Sequence, residues 1–312
     1  MRALALLRAG IASTVQDTGR PGRLQEGIPP AGAMDWLALK SGQFRLGHRE
    51  DEAALEFAYG ELQARPTHEC TIVVTGAPVN LSIDGEPVDP ETVHTVPPGG
   101  LIAASASTSG VYSYLHVGGG IDTTPCLGSR STSPREGIGG LNGGYLRNGD
   151  TLPLGDQNQP EVAADPGLIR ARERDVLLLR FVPGFQFGAL PSHTQRSLQE
   201  QTFWVTSKGN RMGITMKGLP LKTKIQTLLS EATCQGAIQI PADGNPIVLL
   251  NDRQTVGGYP KAGAVITGDC QRLAQSRPGQ RVRFAEISPE EADSVRWLEH
   301  HYTETKLQLG QR

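Results

Sequence analysis

The sequence predicts a mostly β protein, built as two small β-barrels with few short helices. Three observations carry that prediction. Apolar residues come in short runs, each closed by glycine, proline or polar turn residues, which is the pattern of strands rather than long helices. There are 38 glycines and 22 prolines but only 5% aromatics, a composition that demands many turns. Three phrases of one half are echoed in order in the other. Gly32-Ala33-Met34-Asp35 is echoed by Asn210-Arg211-Met212-Gly213. Leu55-Glu56-Phe57-Ala58-Tyr59-Gly60 is echoed by Leu229 to Gly236. Tyr114 to Gly120 is echoed by Leu249-Leu250-Asn251-Asp252 followed by Gly257-Gly258. A diverged duplication leaves such a trace, and an insertion around Asp84 accounts for the changed spacing.

Taken in order, the strands are Ala3 to Leu7, Thr71 to Val74, Leu81 to Ile83, Val111 to Val117, Val176 to Val182, Ile238 to Ile240, Ile247 to Leu250 and Val282 to Phe284. Ser82 to Val88 is a hairpin, because Asp84-Gly85 suits the positive φ angles of a type I′ turn. A helix is expected over Ala33 to Leu46, with Met34, Leu37, Ala38 and Phe44 on one face. A second helix starts at Ser288. Ser288 caps it, Pro289 fits the first helical position and Glu291 completes a capping box. It should run to about Tyr302 and then fray.

A chain of 312 residues holds two domains at about 150 residues each. The polar, proline-containing stretch Asp156 to Arg174 is the best boundary. It sets a first barrel at 1–158, a linker at 159–174 and a second barrel with the C-terminal helix at 175–312. Thirty basic against 32 acidic residues give a net charge of −2. That removes the electrostatic case for nucleic acid or an anionic membrane as the main partner. Cys70, Cys126, Cys234 and Cys270 form no CxxC pair, so they read as reduced, mostly buried thiols of a cytoplasmic protein. No apolar run approaches a membrane span, and Arg8 interrupts the N-terminal stretch before it becomes a signal peptide.

Three segments carry chemistry. The first holds Gln16, Asp17 and Arg20 in a glycine-rich loop whose N–H groups can approach an anion. Arg20 can pair with Asp17 or face a carboxylate or phosphate. Asp35, at a helix N-terminus, reads as a dipole partner rather than a catalyst. The second runs from His116 through Gly118-Gly119-Gly120 to Ser129-Arg130-Ser131 and Gly139-Gly140. Triple glycine permits close approach of a ligand, and Arg130 is an anion clamp. No Gly-Lys-Ser/Thr and no helix follow, so this is neither a P-loop nor a dinucleotide fingerprint. His116 at a strand end reads as a core or edge histidine.

The third segment is the strongest: Asn251-Asp252-Arg253-Gln254-Thr255-Val256-Gly257-Gly258-Tyr259-Pro260-Lys261, a polar loop held by the strand before it. Asp252 can act as acid or base, Arg253 can hold a carboxylate and Lys261 can neutralise developing charge. Gln254, Thr255 and Tyr259 line the same turn. The competing reading is an ion-pair network tying the barrel mouth together. Arg211 faces this region if the halves repeat. Glu231 enters a strand from an apolar stretch, so if buried it needs a partner, and Arg211 or Arg253 is the candidate. HExxH, histidine clusters, GxSxG and a Met-Lys-Met biotin site are all missing. His300-His301 lies in an exposed-looking helix. No metal or covalent cofactor is expected.

Five phrases together resemble one family: Val15 to Arg20, Gly32 to Asp35, Leu127 to Thr132, Arg211-Met212-Gly213 and Asp252 to Lys261. It is the allophanate hydrolase subunit 2 family, also called the biotin-dependent carboxyltransferase domain. Its members include one component of ATP-dependent 5-oxoprolinases and part of urea carboxylase. The resemblance spans about Val15 to Ile287. It implies cyclophilin-like barrels and a hetero-oligomer with a subunit 1 protein and a lactam-hydrolase subunit. It also implies a small amide substrate, with ATP as co-substrate of the complex, in the opening of 5-oxo-L-proline to L-glutamate. On that reading Asp252, Arg253, Lys261 and Glu231 serve catalysis. Gln16, Asp17, Arg20, Arg130, Arg211, Gln254, Thr255 and Tyr259 bind substrate. The alternatives are a carboxyltransferase or urea-pathway subunit and a non-catalytic regulator of the subunit 1 partner. The chain departs from the family pattern at Asn210, where an aspartate is usual, at Ile214-Thr215-Met216 and at Val256. An acid–base role at Asn210 is thereby lost.

Overall fold

The structure, a computed structural model, describes residues 2–59, 61–106, 109–156, 175–223 and 228–310. The expected linker 159–174 lies outside them. The chain divides into two compact units. The first comprises Met1–Pro21, Pro30–Leu168 and Thr305–Arg312, and the second Gly22–Pro29 and Ile169–Glu304.

The first unit contains β1 (Ala3–Arg8), β2 (Ile11–Gln16), α1 (Trp36–Arg45), β3 (Ala54–Ala58), β4 (Leu62–Pro66), β5 (Cys70–Gly76), β6 (Val79–Ile83), β7 (Glu86–Val88), β8 (His94–Val96), β9 (Ile102–Ala106), β10 (Tyr112–Val117) and β11 (Thr151–Pro153). These strands form two antiparallel sheets, ordered β11-β1-β4-β9-β6-β7 and β2-β3-β10-β5-β8. Leu4, Leu55, Leu62, Ile72, Ile102 and Leu115 are fully buried in one cluster. Each such side chain contributes about 1.5–3 kcal/mol of transfer free energy. The hairpin stands as expected, with Asp84 at φ 51° and Gly85 at φ 89°, and Ile83 opposite Glu86.

Strands β3, β5 and β10 are buried along their whole length. Alternate side chains therefore face two interiors. Leu55, Ile72 and Leu115 enter the apolar cluster, while α1 packs against β5 and β10. Thr75 Oγ1 donates to the Ala38 carbonyl at 2.7 Å. Of the expected apolar face, Met34 and Ala38 are buried, so that face forms only in part. Leu37 and Phe44 are only half-buried, whereas Ser41, Gly42 and Gln43 are buried. Asp35 caps α1 through Ala38 N at 3.0 Å, the role expected of it.

The second unit contains β12 (Val176–Pro183), α2 (Ser192–Glu200), β13 (Phe203–Asn210), β14 (Gly213–Lys217), β15 (Glu231–Ala232), β16 (Ala237–Gln239), β17 (Ile247–Leu249), β18 (Val256–Gly257), β19 (Lys261–Val265), α3 (Thr267–Ala274), β20 (Arg281–Glu286) and α4 (Pro289–Gly310). Seven strands close a barrel in the order β12-β19-β16-β17-β14-β13-β20, and β15 pairs with β18 as a separate two-stranded ladder. Phe284 packs edge-on against Phe181 and Phe203, with centroids 6.1 and 5.6 Å apart, a favoured aromatic geometry. The capping box forms reciprocally. Glu291 N reaches Ser288 Oγ at 3.1 Å, and Ser288 N reaches Glu291 Oε2 at 2.8 Å. The helix it starts continues past the expected end at Tyr302 to Gly310, because neither proline nor glycine interrupts it before then. Of the echoed phrases, Gly32–Asp35 leads into α1, whereas Asn210–Gly213 turns the β13–β14 hairpin. No helix among the described residues is long and apolar enough to cross a membrane.

Candidate functional site

The predicted residues fall into both units. In the first, Asp17 is the centre of a buried polar knot. Its carboxylate accepts from Gly19 N at 2.8 Å, Ser129 Oγ at 2.6 Å, Arg130 N at 2.6 Å and Ser131 Oγ. Arg20, with 1% exposure, donates through Nε to the Cys126 carbonyl at 3.3 Å and through Nη2 to the Ser131 carbonyl. Gln16 donates to Thr14 Oγ1 and to the Thr132 carbonyl. Arg130 Nη2 meets Asp122 Oδ1 at 2.6 Å. Gly19 N and Arg130 N are thus directed at the chain's own Asp17.

The glycines here admit backbone. A Cβ on Gly119 would stand 2.4 Å from the Gly155 carbonyl, and one on Gly139 would stand 2.0 Å from that of Ser131. His116 is buried, 3.2 Å from Thr75 Oγ1. Burial, followed by the neighbouring His48, holds its pKa well below the usual imidazole range. It is therefore neutral at physiological pH, the core histidine expected of it.

In the second unit two buried arginines, one in the β13–β14 turn and one in the polar loop after β17, have opposite fates. Arg211, in the β13–β14 turn, sends Nε to Asp252 Oδ2 at 2.7 Å and Nη2 to Oδ1 at 3.0 Å. Asp252 N donates to the Arg211 carbonyl at 2.9 Å. Both side chains are buried, so this fork-to-fork pair satisfies groups that would be costly alone. Arg253, the next residue, has 4% exposure. Its Nη1 donates to the Leu250 carbonyl at 3.4 Å, and Nε has no partner among the described residues. No carboxylate among them pairs with it. Burial lowers its pKa from the usual guanidinium range.

Glu231 departs from expectation. It is exposed, and its partner is Lys261 rather than Arg211 or Arg253. Lys261 Nζ stands 2.6 Å from Glu231 Oε1. The reason is register. Glu231 lies opposite Gly257 in the β15–β18 ladder, away from the buried arginines, and Lys261 opens β19 just beyond that ladder. Gln186 ties the pair together. Its Nε2 donates to Glu231 Oε1 at 2.5 Å, and its Oε1 accepts from Lys261 N at 2.7 Å. The hydrogen bond from Lys261 is the main cause that holds the Glu231 carboxyl below the usual range.

Two of the remaining loop residues contribute backbone. The Gln254 carbonyl accepts from Thr233 Oγ1 and the Thr255 carbonyl from Thr233 N. Tyr259 is half exposed on the rim. Sequence reasoning missed Gln186 and Gln239. Gln239 is buried, and its Nε2 has no acceptor among the described residues. A Cβ on Gly257 would lie 2.7 Å from that nitrogen and 3.6 Å from Gln254 Nε2. Glycine at 257 therefore keeps open the space before two amide groups. The four cysteines are free: Cys70 and Cys270 are buried, Cys126 is half-buried and Cys234 is exposed.

A family model for the carboxyltransferase domain, subdomains A and B, matches residues 26–286. The chain belongs to the carboxyltransferase domain family. Within that family it is 35% identical over 304 residues to the C subunit of 5-oxoprolinase from Escherichia coli K12, covering 96% of each chain. It is also 35% identical over 286 residues to the C subunit of the Haemophilus influenzae 5-oxoprolinase, covering 91% of each. The crystal structure of Kluyveromyces lactis urea amidolyase superposes with a TM-score of 0.90 at 22% identity. That match covers 97% of this carboxyltransferase-domain chain but 20% of the larger enzyme, and it bears on the fold alone.

Proposed function

We propose that this protein is one subunit of an ATP-dependent enzyme that opens a cyclic amide, with 5-oxo-L-proline as substrate and L-glutamate as product. The observation that carries this reading is its 35% identity to the C subunit of a 5-oxoprolinase across 96% of both chains. Its partners are a subunit 1 protein and a lactam-hydrolase subunit. An amide is stabilised by resonance, and phosphorylation of its oxygen by ATP removes that protection. The phosphorylated species needs cations and N–H donors around it.

The second unit offers such groups. Lys261 supplies a positive charge at the rim. Gln239 Nε2 is a buried donor with no acceptor among the described residues, suited to a carbonyl or phosphoryl oxygen. Glu231, kept ionised by Lys261, holds that lysine in place. Asp252, with both oxygens engaged by Arg211, fixes the loop.

The test is 5-oxoproline- and ATP-dependent glutamate release by a mixture of the three subunits from the same genome, with this chain present or omitted. Glutamate formed only when it is present is the expected result. An assembled complex that releases none overturns the reading and moves the assignment to carboxyl transfer onto urea-type substrates, or to regulation of the partner.

A further inference from the structure

Arg253 is a cation without an anion. The residue is only 4% exposed, and its one hydrogen bond among the described residues is a long one to a carbonyl. A buried unpaired charge is among the most costly features a fold can carry, and the fold does not relieve it. The neighbouring carboxylate, Asp252, is bound through both oxygens to Arg211, and Glu231 is bound to Lys261. Both pairs are neutral as units, so a single positive charge is left uncompensated in this loop.

Backbone register shows which segment borders it. Thr233 N donates to the Thr255 carbonyl, and Gln235 Nε2 donates to Asn251 Oδ1 at 2.7 Å. The segment 233–235 therefore runs alongside 251–255, which sets Cys234 beside the loop that carries Arg253. Cys270 is buried, whereas Cys234 reaches solvent.

We infer that Arg253 is the floor of a monoanion subsite with Cys234 at its mouth, and that its ligand is the carboxylate of a small organic acid. A guanidinium fork matches a carboxylate through two parallel hydrogen bonds. One uncompensated charge matches a monoanion, whereas a doubly charged phosphate would bring a second negative charge while Arg211 and Lys261 are already paired. An uncharged substrate such as urea leaves Arg253 unmatched. Identifying the ligand as the carboxylate of 5-oxoproline rests on the function proposed above; the subsite itself does not.

The thiol provides a readout on the isolated full-length chain that needs neither partners nor turnover. Cys234 is alkylated with anionic iodoacetate and, separately, with neutral iodoacetamide. The rate ratio is read by mass spectrometry and compared with that of N-acetylcysteine. The expected result is a ratio at least several-fold above the free thiol, lost in Arg253→Gln and retained in Arg253→Lys. Millimolar 5-oxoproline should slow the alkylation, and its uncharged amide should not. A ratio equal to that of the free thiol, or one unchanged in a folded Arg253→Gln variant, overturns the subsite. A raised, Arg253-dependent ratio protected by acetate but not by 5-oxoproline upholds the subsite and overturns the lactam acid as its ligand.

Discussion

Arg211 and Asp252 meet through two hydrogen bonds, at 2.7 and 3.0 Å, with both side chains buried. The pair joins the β13–β14 turn to the loop after β17, and it leaves the next residue, Arg253, without a carboxylate partner among the described residues. The division of labour in this loop follows from that single match.

Breaking the pair should be expensive. Asp252→Ala strands the Arg211 guanidinium in the interior, at a cost of about 3–5 kcal/mol. Replacing both partners, Arg211→Met with Asp252→Leu, should recover most of the loss, because it removes the stranded charge. Urea unfolding of the two variants checks the order. Equal losses would show that the pair is not what holds the loop.

Arg253→Met should behave in the opposite way. It removes a buried charge that has no counter-ion, so stability should rise, by about 1 kcal/mol or more. Glutamate release by the reconstituted complex should be lost at the same time. A fall in thermal midpoint would mark Arg253 as a structural residue.

Lys261→Met should separate activity from folding by a different route. The Lys261–Glu231 pair lies at the surface on the Glu231 side, so its loss should cost no more than about 1 kcal/mol. The proposed function requires the cation, so turnover of the complex should fall at least tenfold. Turnover within twofold of the parent would remove Lys261 from the site.

Gly42→Ala sets two magnitudes against each other. Alanine improves helix propensity by about 1 kcal/mol. Its Cβ, however, would stand 2.1 Å from the His116 ring under α1, and overpacking of this kind costs about 1–3 kcal/mol or more. The clash should win. A thermal melt showing Gly42→Ala less stable than the parent, with rescue by His116→Ala, is the expected outcome.

Acid should loosen the first unit through its histidines. Burial lowers the pKa of His48 from the ordinary 6.5 to about 4, and His116 is lowered too. The unfolded chain therefore binds more protons than the folded one between these values, and stability falls as pH drops from about 6.5 toward 4. For His48 alone the loss is on the order of 3 kcal/mol. Glu52, whose carboxyl is raised chiefly by burial and which lies 3.6 Å from His48 Nδ1, works in the other direction and offsets part of it. Unfolding free energies measured from pH 7 to 4 should decline, and His48→Gln should flatten the curve. A curve unchanged by that substitution would reject the account.

Strands with continuous apolar runs, such as β5, β10 and β12, were legible in the sequence, as were the Asp84-Gly85 turn and the Ser288 capping box. Strand β13 was not, because Ser207, Lys208, Gly209 and Asn210 lie exposed along half of it. Helix α2 buries only Thr194 and Leu198, too little periodicity to register. The buried face of α1 escaped for a chemical reason. Thr75 and His116 of the sheet meet the Ala38 carbonyl and Gly42, while Gln43 is buried by bonds to the Glu50 and Glu52 carbonyls, so burial along the helix does not follow an apolar period. At the site, Lys261 and Arg253 stood out as cations beside glycines and a proline. Their fates depended on which carboxylate lay near, and pairing across strands is not written in local sequence. Gln186 and Gln239 carry no motif at all.

The closure of the second barrel has a consequence for how the chain is made. Its first strand, β12, pairs among the described residues with β19 and β20, and the parallel contact joins Val176 to Arg281. While the ribosome is still synthesising residues 184–260, β12 has been made but neither of its neighbours exists. It waits as an unpaired apolar edge, open to capture by another nascent chain. Biogenesis of this protein therefore hinges on the late arrival of β19 and β20, and truncation before β20 should yield an aggregating product rather than a shortened barrel.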